Sequence, residues 1–251
     1  MSLFLDTVQT TPYLFEDERY VIFTVTDISD EKRRKALERI FYHDVLNTAG
    51  GLWGYIQILK QHPEEADELK DDMFSLSKNL IDEIQAQRQL SSAESNELVL
   101  SIAELNTKMI LSDIENTYKN HIVAHNRSIA CSDESEDLIF ETDVTILKRV
   151  FGNMLKNALE ASSDNQIVTI GTRKNNENNR VIFWVHNPNY MPRGVQLQVF
   201  RRSFSTKGSG RGLGTYSIKL LSERYLKGNV WFETSEDEGT TFFAEYPLKL
   251  V

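Results

Sequence analysis

Several features common in other protein classes are missing from this chain of 251 residues. It has one cysteine, Cys131, so no internal disulfide can form, which suits a reducing compartment. It has no apolar run of about 18 residues, so no transmembrane helix is predicted. The start, MSLFLDTVQTTP, lacks the basic and long apolar regions of a secretory signal peptide. We therefore expect a cytoplasmic protein, with no membrane span in this chain.

An excess of positive charge is also missing. The formal net charge is −9, which argues against general nucleic-acid binding, because that activity requires a basic surface. No 20–50-residue repeat or low-complexity tract is present. With 40% hydrophobic and 26% charged residues, the composition is that of a globular protein with one large domain or two ordinary ones.

The first regular pattern is the segment 13–27, YLFEDERYVIFTVTD, in which β-branched and aromatic residues alternate around a polar EDER turn. This pattern predicts a β-hairpin. Two strands are marginally stable alone. We therefore expect the hairpin to be the end of a domain whose beginning lies outside this chain.

Helical periodicity follows from about Ile28 to Lys60 and, after the turn HPEE (62–65), to about Leu90. Each helix carries one apolar stripe, formed by Leu37, Phe41, Val45, Leu52, Tyr55 and Leu59 in the first and by Leu69, Met73, Leu76, Leu80 and Ile84 in the second. Such an αα-hairpin leaves apolar surface uncovered, which a second copy can cover in a four-helix bundle. We therefore predict a homodimer.

A histidine lies within FYHDVLNTAGG (41–51) of the first helix. At about 100° per residue, His43 points roughly 160° away from the apolar stripe, so we expect it to face outward. By itself this pattern also fits an ordinary surface histidine.

The polar stretch SSAESNE (91–97) predicts a linker, which we place at 93–97. The rest of the chain mixes helices, expected near 101–124, 143–162 and 213–227, with strands, expected at 127–131, 138–141, 167–173, 181–186, 229–234 and 240–246. This mixture predicts an α/β sandwich, a sheet with helices on one face.

Two segments of this second half carry candidate chemistry. In NMLKNALEAS (153–162), Asn153 and Asn157 share a helix face, which suits a Mg²⁺ site built on amide oxygens or simply a polar surface. In RSFSTKGSGRGLGTYSIKLL (202–221), glycines precede a helix and allow backbone N–H groups to approach phosphates, although a plain surface loop has the same composition. The segment is not a P-loop. The strand EGTTFFAEYPL (238–248) looks only structural.

Together these motifs resemble the sensor histidine kinases of two-component systems over about residues 28–248. FYHDVLN resembles the H box, NMLKNALEAS the N box, VFRRSFSTK the F box and lid, and GSGRGLGTYS the second glycine box. FTVTDISDEKRR resembles the exit of a PAS domain. The resemblance implies an α+β chain with a PAS remnant (1–29), a dimerising helical hairpin (30–92), the linker (93–97) and an ATPase domain of the GHKL (Bergerat) type (98–251).

The resemblance also implies roles for individual residues. His43 would accept the phosphoryl group, Asp44 would orient the ring and take its proton, and Asn47 would act when the phosphohistidine is hydrolysed. Asn157 would coordinate Mg²⁺, with Asn153 close to the phosphates. Phe200 and Phe204 would anchor the lid. The remaining nucleotide-binding residues implied around the loop are Lys207, Gly210, Arg211, Gly212, Leu213 and Gly214.

The chain departs from the family at the first glycine box, where VIFWV is followed by HNPNYMP. Aligning Met191-Pro192 with the family's Ile-Pro places His186 at the aspartate that binds the adenine amino group. A ring nitrogen of His186, or the carbonyl of Asn187, could accept that hydrogen bond. Either would be weaker than a carboxylate, because a charge-assisted hydrogen bond is roughly twice as strong.

The implied function is autophosphorylation of His43 from Mg-ATP, followed by transfer to an aspartate of a response-regulator receiver domain. One alternative is a histidine phosphotransferase or phosphatase with a degenerate nucleotide site that does not use ATP as donor. Another is a dimeric scaffold without enzymatic activity.

Overall fold

The computed structural model describes residues 6–15, 18–27, 29–119, 121–201 and 214–250. The chain divides into two compact units, Met1–Gln87 and Arg88–Val251. No helix in the described ranges is long and apolar enough to cross a membrane.

The first unit begins with the predicted hairpin, which is longer than the alternating pattern indicated. Strands β1 (Asp6–Phe15) and β2 (Glu18–Asp27) pair in antiparallel register over their whole length. The segment before Tyr13 is rich in threonine, which is β-branched and therefore favours strand.

Two long helices follow, α1 (Ser29–Gln61) and α2 (Ala66–Glu94), joined by a 3₁₀ turn at Pro63–Glu65. Proline at the start of the turn matches its fixed φ angle. Across the turn the Tyr55 hydroxyl is 3.5 Å from a carboxylate oxygen of Asp72, so the helices lie side by side as an αα-hairpin. The predicted hairpin is therefore present, and the described residues of its two stripes are half-buried except Ile84.

The second unit begins with the last turns of α2. Leu90 is 2% exposed and Ala93 is fully buried. The hydroxyl of Tyr225 donates to the Ala93 carbonyl at 2.8 Å, and a guanidinium nitrogen of Arg224 donates to the same oxygen at 3.1 Å. These contacts keep residues 91–94 helical, although their polar composition predicted part of a linker.

The second unit contains seven strands and four short or medium helices in the described residues. In chain order these are β3 (Ile102–Asn106), α3 (Thr107–Lys119), β4 (Ser128–Cys131), β5 (Ile139–Asp143), α4 (Val144–Ala161), β6 (Ile167–Asn175), β7 (Arg180–Asn187), α5 (Arg193–Gln196), α6 (Gly214–Leu220), β8 (Asn229–Ser235) and β9 (Gly239–Pro247). A π-helical turn, Leu221–Tyr225, extends α6.

Five of these strands form one sheet in the order β4-β6-β7-β9-β8. The β4–β6 pair is parallel and the other pairs are antiparallel. Strands β3 and β5 form a separate antiparallel pair. The predicted helix at 101–124 is therefore wrong at its start, because Ile102–Asn106 pairs with β5 and α3 begins only after Asn106. The Asn106 side chain accepts from the Met109 amide at 3.1 Å, as an N-cap does.

The core lies between this sheet and the helices. Alternate strand residues, including Val181, Phe183 and Val185 of β7, pack with the apolar faces of α3, α4 and α6 in one buried cluster. The ring of Phe183 contacts the rings of Phe140, Phe151 and Tyr246. The predicted sandwich, a sheet covered by helices, is confirmed.

Candidate functional site

The two asparagines of α4 lie one helical turn apart and face the start of α6. The side-chain nitrogen of Asn153 donates to the Ser217 hydroxyl at 3.1 Å. That hydroxyl donates to the Gly214 carbonyl at 2.8 Å, and Ser217 is only 2% exposed. A partly buried hydrogen-bond chain thus connects Asn153 to the end of the glycine-rich segment. Ser217 is the last residue of the segment GSGRGLGTYS, but no site role was predicted for it.

The second asparagine, Asn157, has an unsatisfied polar atom beside the same glycine. Its side-chain oxygen is 3.7 Å from the place where a Cβ at Gly214 would lie, so the Asn157 amide is next to the start of α6. Its Nδ2 is buried without a hydrogen-bond partner among the described residues. Leaving a buried donor unpaired costs about 1–3 kcal/mol, so this amide suits a ligand that brings an acceptor, such as a phosphate oxygen. The amide oxygen suits a hard cation such as Mg²⁺.

The end of β7 lies close to the end of α4. The rings of Phe151 on α4 and Phe183 on β7 are 5.3 Å apart. Further along both elements, the side-chain nitrogen of Asn189 donates to the carbonyl of Ala161 at 2.6 Å. Helix and strand therefore run in the same direction, and Asn157 lies between these two points of contact.

At this end of β7 the strand directs Asn187, and not His186, toward the helices. Side chains alternate along a strand, so Asn187 continues the helix-facing row of Val181, Phe183 and Val185. It is 3% exposed, and its Nδ2 has no hydrogen-bond partner among the described residues. Strand alternation thus distinguishes Asn187 from His186, the other residue predicted for the adenine contact.

His186 lies on the other face of the sheet. Its Nδ1 is 3.0 Å from the hydroxyl of Thr241, its partner on β9. Burial lowers the pKa of His186, and the negative charge of Glu238 opposes this effect only in part. The structure therefore does not bring His186 to the asparagines of α4. One step along a strand reverses the face, so Asn187, and not His186, faces the same side of the sheet as these asparagines.

The first residue of β9, Gly239, lies against the backbone of Asn187. Gly239 has φ +78°, and a Cβ there would be 2.3 Å from the Asn187 carbonyl oxygen, so only glycine fits. The next residue, Thr240, is opposite Asn187 in the sheet and is 3% exposed. The segment EGTTFFAEYPL, interpreted as only structural, thus also shapes the site. In the sequence, the Gly-Thr pair that follows the polar turn is the feature that indicates this role.

The predicted loop residues Lys207, Gly210, Arg211, Gly212 and Leu213 lie outside the described residues, as does Phe204. Phe200 is described, and its ring contacts those of Phe232 and Phe242 at 6.0 and 6.1 Å, which agrees with its expected anchoring role.

His43 and Asp44 belong to α1, but their side chains are outside the described part of the chain. Asn47 follows His43 by four residues, on the same helix face. Within the described ranges, no group of three or more His, Cys, Asp or Glu residues could hold a metal ion.

Comparison with known proteins is consistent with this geometry. Residues 142–250 match the family described as histidine kinase-, DNA gyrase B- and HSP90-like ATPase. Sporulation kinase C of Bacillus subtilis is 29% identical over 82% of this chain and 47% of its own length. The chain thus spans about half the length of the curated relatives it matches.

Solved structures show the same fold. The catalytic domain of histidine kinase ThkA is 27% identical, with a TM-score of 0.52, over 60% of this chain and 97% of that domain. ThkA in complex with the response regulator protein TrrA matches 96% of this chain and 74% of that chain, with a TM-score of 0.57 and 23% identity. Residues 142–250 thus match the histidine kinase-, DNA gyrase B- and HSP90-like ATPase family, and the chain as a whole is similar to sensor histidine kinases of two-component systems.

Proposed function

We propose that this chain is the core of a sensor histidine kinase, which transfers the γ-phosphoryl group of ATP to His43 and then to an aspartate of a response regulator. The observation that carries the proposal is the buried Nδ2 of Asn157, which has no hydrogen-bond partner among the described residues and lies beside Gly214, in a segment that matches an ATPase family. The likeness to sporulation kinase C and to the catalytic domain of ThkA supports it.

The phosphate end of the site would be held by the ends of α4 and α6. The bond from Asn153 to Ser217 joins α4 to α6, and the bond from Ser217 to Gly214 orients the Ser217 hydroxyl within α6. The Asn157 amide would donate to a phosphate oxygen and offer its own oxygen to Mg²⁺. When bound, Mg²⁺ supplies charge neutralisation, which is much of the catalysis of phosphoryl transfer.

The hairpin would supply the nucleophile. Neutral imidazole is a competent nucleophile near pH 7. A ring nitrogen of His43 would form the bond to the γ-phosphorus as the bond from phosphorus to the β–γ bridging oxygen breaks, and ADP would leave. Asp44 would orient the ring and accept the proton that it releases. Asn47, one turn further on, would position water when the phosphohistidine is hydrolysed to histidine and inorganic phosphate.

A homodimer is proposed from the surface of α1. Besides its half-buried stripe, α1 carries a second apolar stripe of Tyr42, Leu46, Trp53 and Ile56, which are 63, 70, 62 and 41% exposed. At about 100° per residue the two stripes are centred about 100° apart. A helix in a four-helix bundle contacts two neighbours, so the second stripe suits a second copy.

The response-regulator partner is supported by the ThkA complex with TrrA, whose fold matches nearly the whole chain. We also propose that the β1–β2 hairpin is the tail of a PAS domain and that this chain works in the cytoplasm. The partly buried thiol of Cys131, whose pKa burial and Glu115 raise to about 12, is unreactive in such a compartment.

Incubation with γ-labelled ATP and Mg²⁺ tests the proposal. The full chain should acquire label that is lost in acid and kept in base, as expected of phosphohistidine. The His43→Gln variant should acquire none, whereas His62→Gln, which changes an exposed histidine of the same hairpin, should label normally. Asn157→Asp should lower the rate at least about tenfold, because it replaces an amide donor by a negative charge facing phosphates.

Label in His43→Gln, or none in the unchanged chain, would contradict the kinase proposal. If the unchanged chain takes label from a phosphorylated receiver domain but not from ATP, the phosphotransferase function is correct instead.

A further inference from the structure

The base end of the proposed nucleotide site carries an amide in place of a carboxylate. Asn187 is the last residue of β7, faces the helices and is only 3% exposed. Its Nδ2 is buried without a hydrogen-bond partner among the described residues. Such a donor suits a ligand acceptor, and a carboxylate at the same position would have no donor to offer.

The polar neighbours of Asn187 are engaged with one another. The Thr240 hydroxyl donates to the Asn189 carbonyl at 2.7 Å and contacts the Thr234 hydroxyl at 2.8 Å. The Thr234 oxygen accepts from the Met191 amide at 3.0 Å. Since Thr240 donates its only proton to Asn189, the proton in the Thr234–Thr240 bond comes from Thr234. Both threonine protons are thus donated elsewhere, and neither hydroxyl is hydrogen-bonded to the Asn187 amide.

No hydrogen bond among the described residues fixes the orientation of the Asn187 amide, so it can match either kind of purine edge. Turned one way, its oxygen accepts from the 6-amino group of adenine while its nitrogen donates to N1. Turned by 180°, its nitrogen donates to the 6-oxo group of hypoxanthine or guanine while its oxygen accepts from N1–H. A carboxylate can only accept, so it matches the amino group and repels the oxo group.

We propose that Asn187 makes this site tolerant of 6-oxopurine nucleotides, so that it binds inosine and guanine triphosphates as well as ATP. The inference rests on the proposed function, because it assumes that the site holds a nucleotide. Asn187 would determine which base binds, and residues of α4 and α6 would contact the phosphates.

Calorimetric binding of ATP and inosine triphosphate to the full chain, with Mg²⁺, tests the inference. Inosine triphosphate is the decisive probe, because it has the 6-oxo group of guanine without its 2-amino group. The two dissociation constants should agree within about tenfold. Asn187→Asp should keep ATP binding and weaken inosine triphosphate at least about tenfold relative to ATP, because a carboxylate meets the oxo group.

A matched control is Asn116→Asp, which adds the same charge on the exposed face of α3 and should leave the ratio unchanged. The variant His186→Asp separates the two candidate positions. If His186→Asp, and not Asn187→Asp, changes the ratio of the two dissociation constants, the base binds at the other face of the sheet and the inference is wrong.

The inference and the proposed function fail in different ways. Tight ATP binding with inosine triphosphate more than tenfold weaker in the unchanged chain overturns the inference alone. If neither nucleotide binds, the kinase proposal is wrong and the inference falls with it. The ratio in the unchanged chain decides the matter even if Asn187→Asp does not fold.

Discussion

The two units of this chain bury their apolar side chains to very different extents. In the described part of the second unit 32 hydrophobic residues are buried, and most of them belong to one core that includes Phe183 and Leu155. In the described part of the first unit no residue reaches that degree of burial, and aromatic side chains such as Phe23, Trp53 and Phe74 are 67, 62 and 71% exposed. The second unit has the core of an independent domain, whereas the first has the apolar surface of an assembly component.

The largest effect should come from the core of the second unit. Phe183→Ala removes a fully buried ring that contacts three other aromatic rings. The free energy of unfolding of the second unit should fall by about 3–5 kcal/mol in this variant. In the first unit Phe23→Ala, at 67% exposure, should cost less than about 1 kcal/mol. Denaturant titration of both variants checks this. Equal losses would mean that the first unit has a core of its own.

A smaller effect, on assembly, should come from the exposed stripe of α1. Replacing Leu46 and Trp53 together by glutamate places two charges where the second copy is proposed to pack. The dimer should dissociate at least about tenfold more easily, because burying an unpaired charge is costly. Sedimentation at a series of concentrations measures this dissociation, and ATP binding to the second unit should not change.

The control for this variant is Gln61→Glu, which adds a negative charge to the same helix about 100° away from the stripe. If Gln61→Glu dissociates the dimer equally well, general repulsion is the cause. If neither variant changes the molecular mass, the stripe does not form the interface.

The difference between the units also explains which expectations the sequence supported. The helical hairpin and most strands of the second unit follow from hydrophobic periodicity, and their ends agree within two residues for β6, β7 and α4. The failures lie where distant contacts decide local structure. Residues 102–106 are a strand because β5 pairs with them, and residues 91–94 are helical because Tyr225 and Arg224 bind the end of α2.

The candidate site shows the same division. Asn153, Asn157 and Gly214 were identified from local motifs, and the fold brings them together. Ser217 ends the second glycine box, but its role depends on the approach of α6 to α4, which a local motif does not show. A linear alignment favours His186 over Asn187, whereas the face of the strand distinguishes them. The period of two along β7 is visible in the sequence and places Asn187 on the helix-facing side.

The smallest predicted effect is a pH dependence confined to the second unit. Burial lowers the pKa of His186 below its ordinary value of 6.5, so the folded state binds this proton less readily than the unfolded chain does. The stabilisation from neutral His186 is complete above about pH 6.5 and declines as the pH falls through the lowered pKa. Thermal unfolding between pH 7.5 and 5 should therefore show a loss of stability that His186→Gln reduces, since glutamine has no proton to gain. His125→Gln, which changes an exposed histidine of the same unit, should keep the full loss. An equal loss in His186→Gln would mean that other groups cause the acid sensitivity. The predicted difference in pH dependence between the two units would then be wrong.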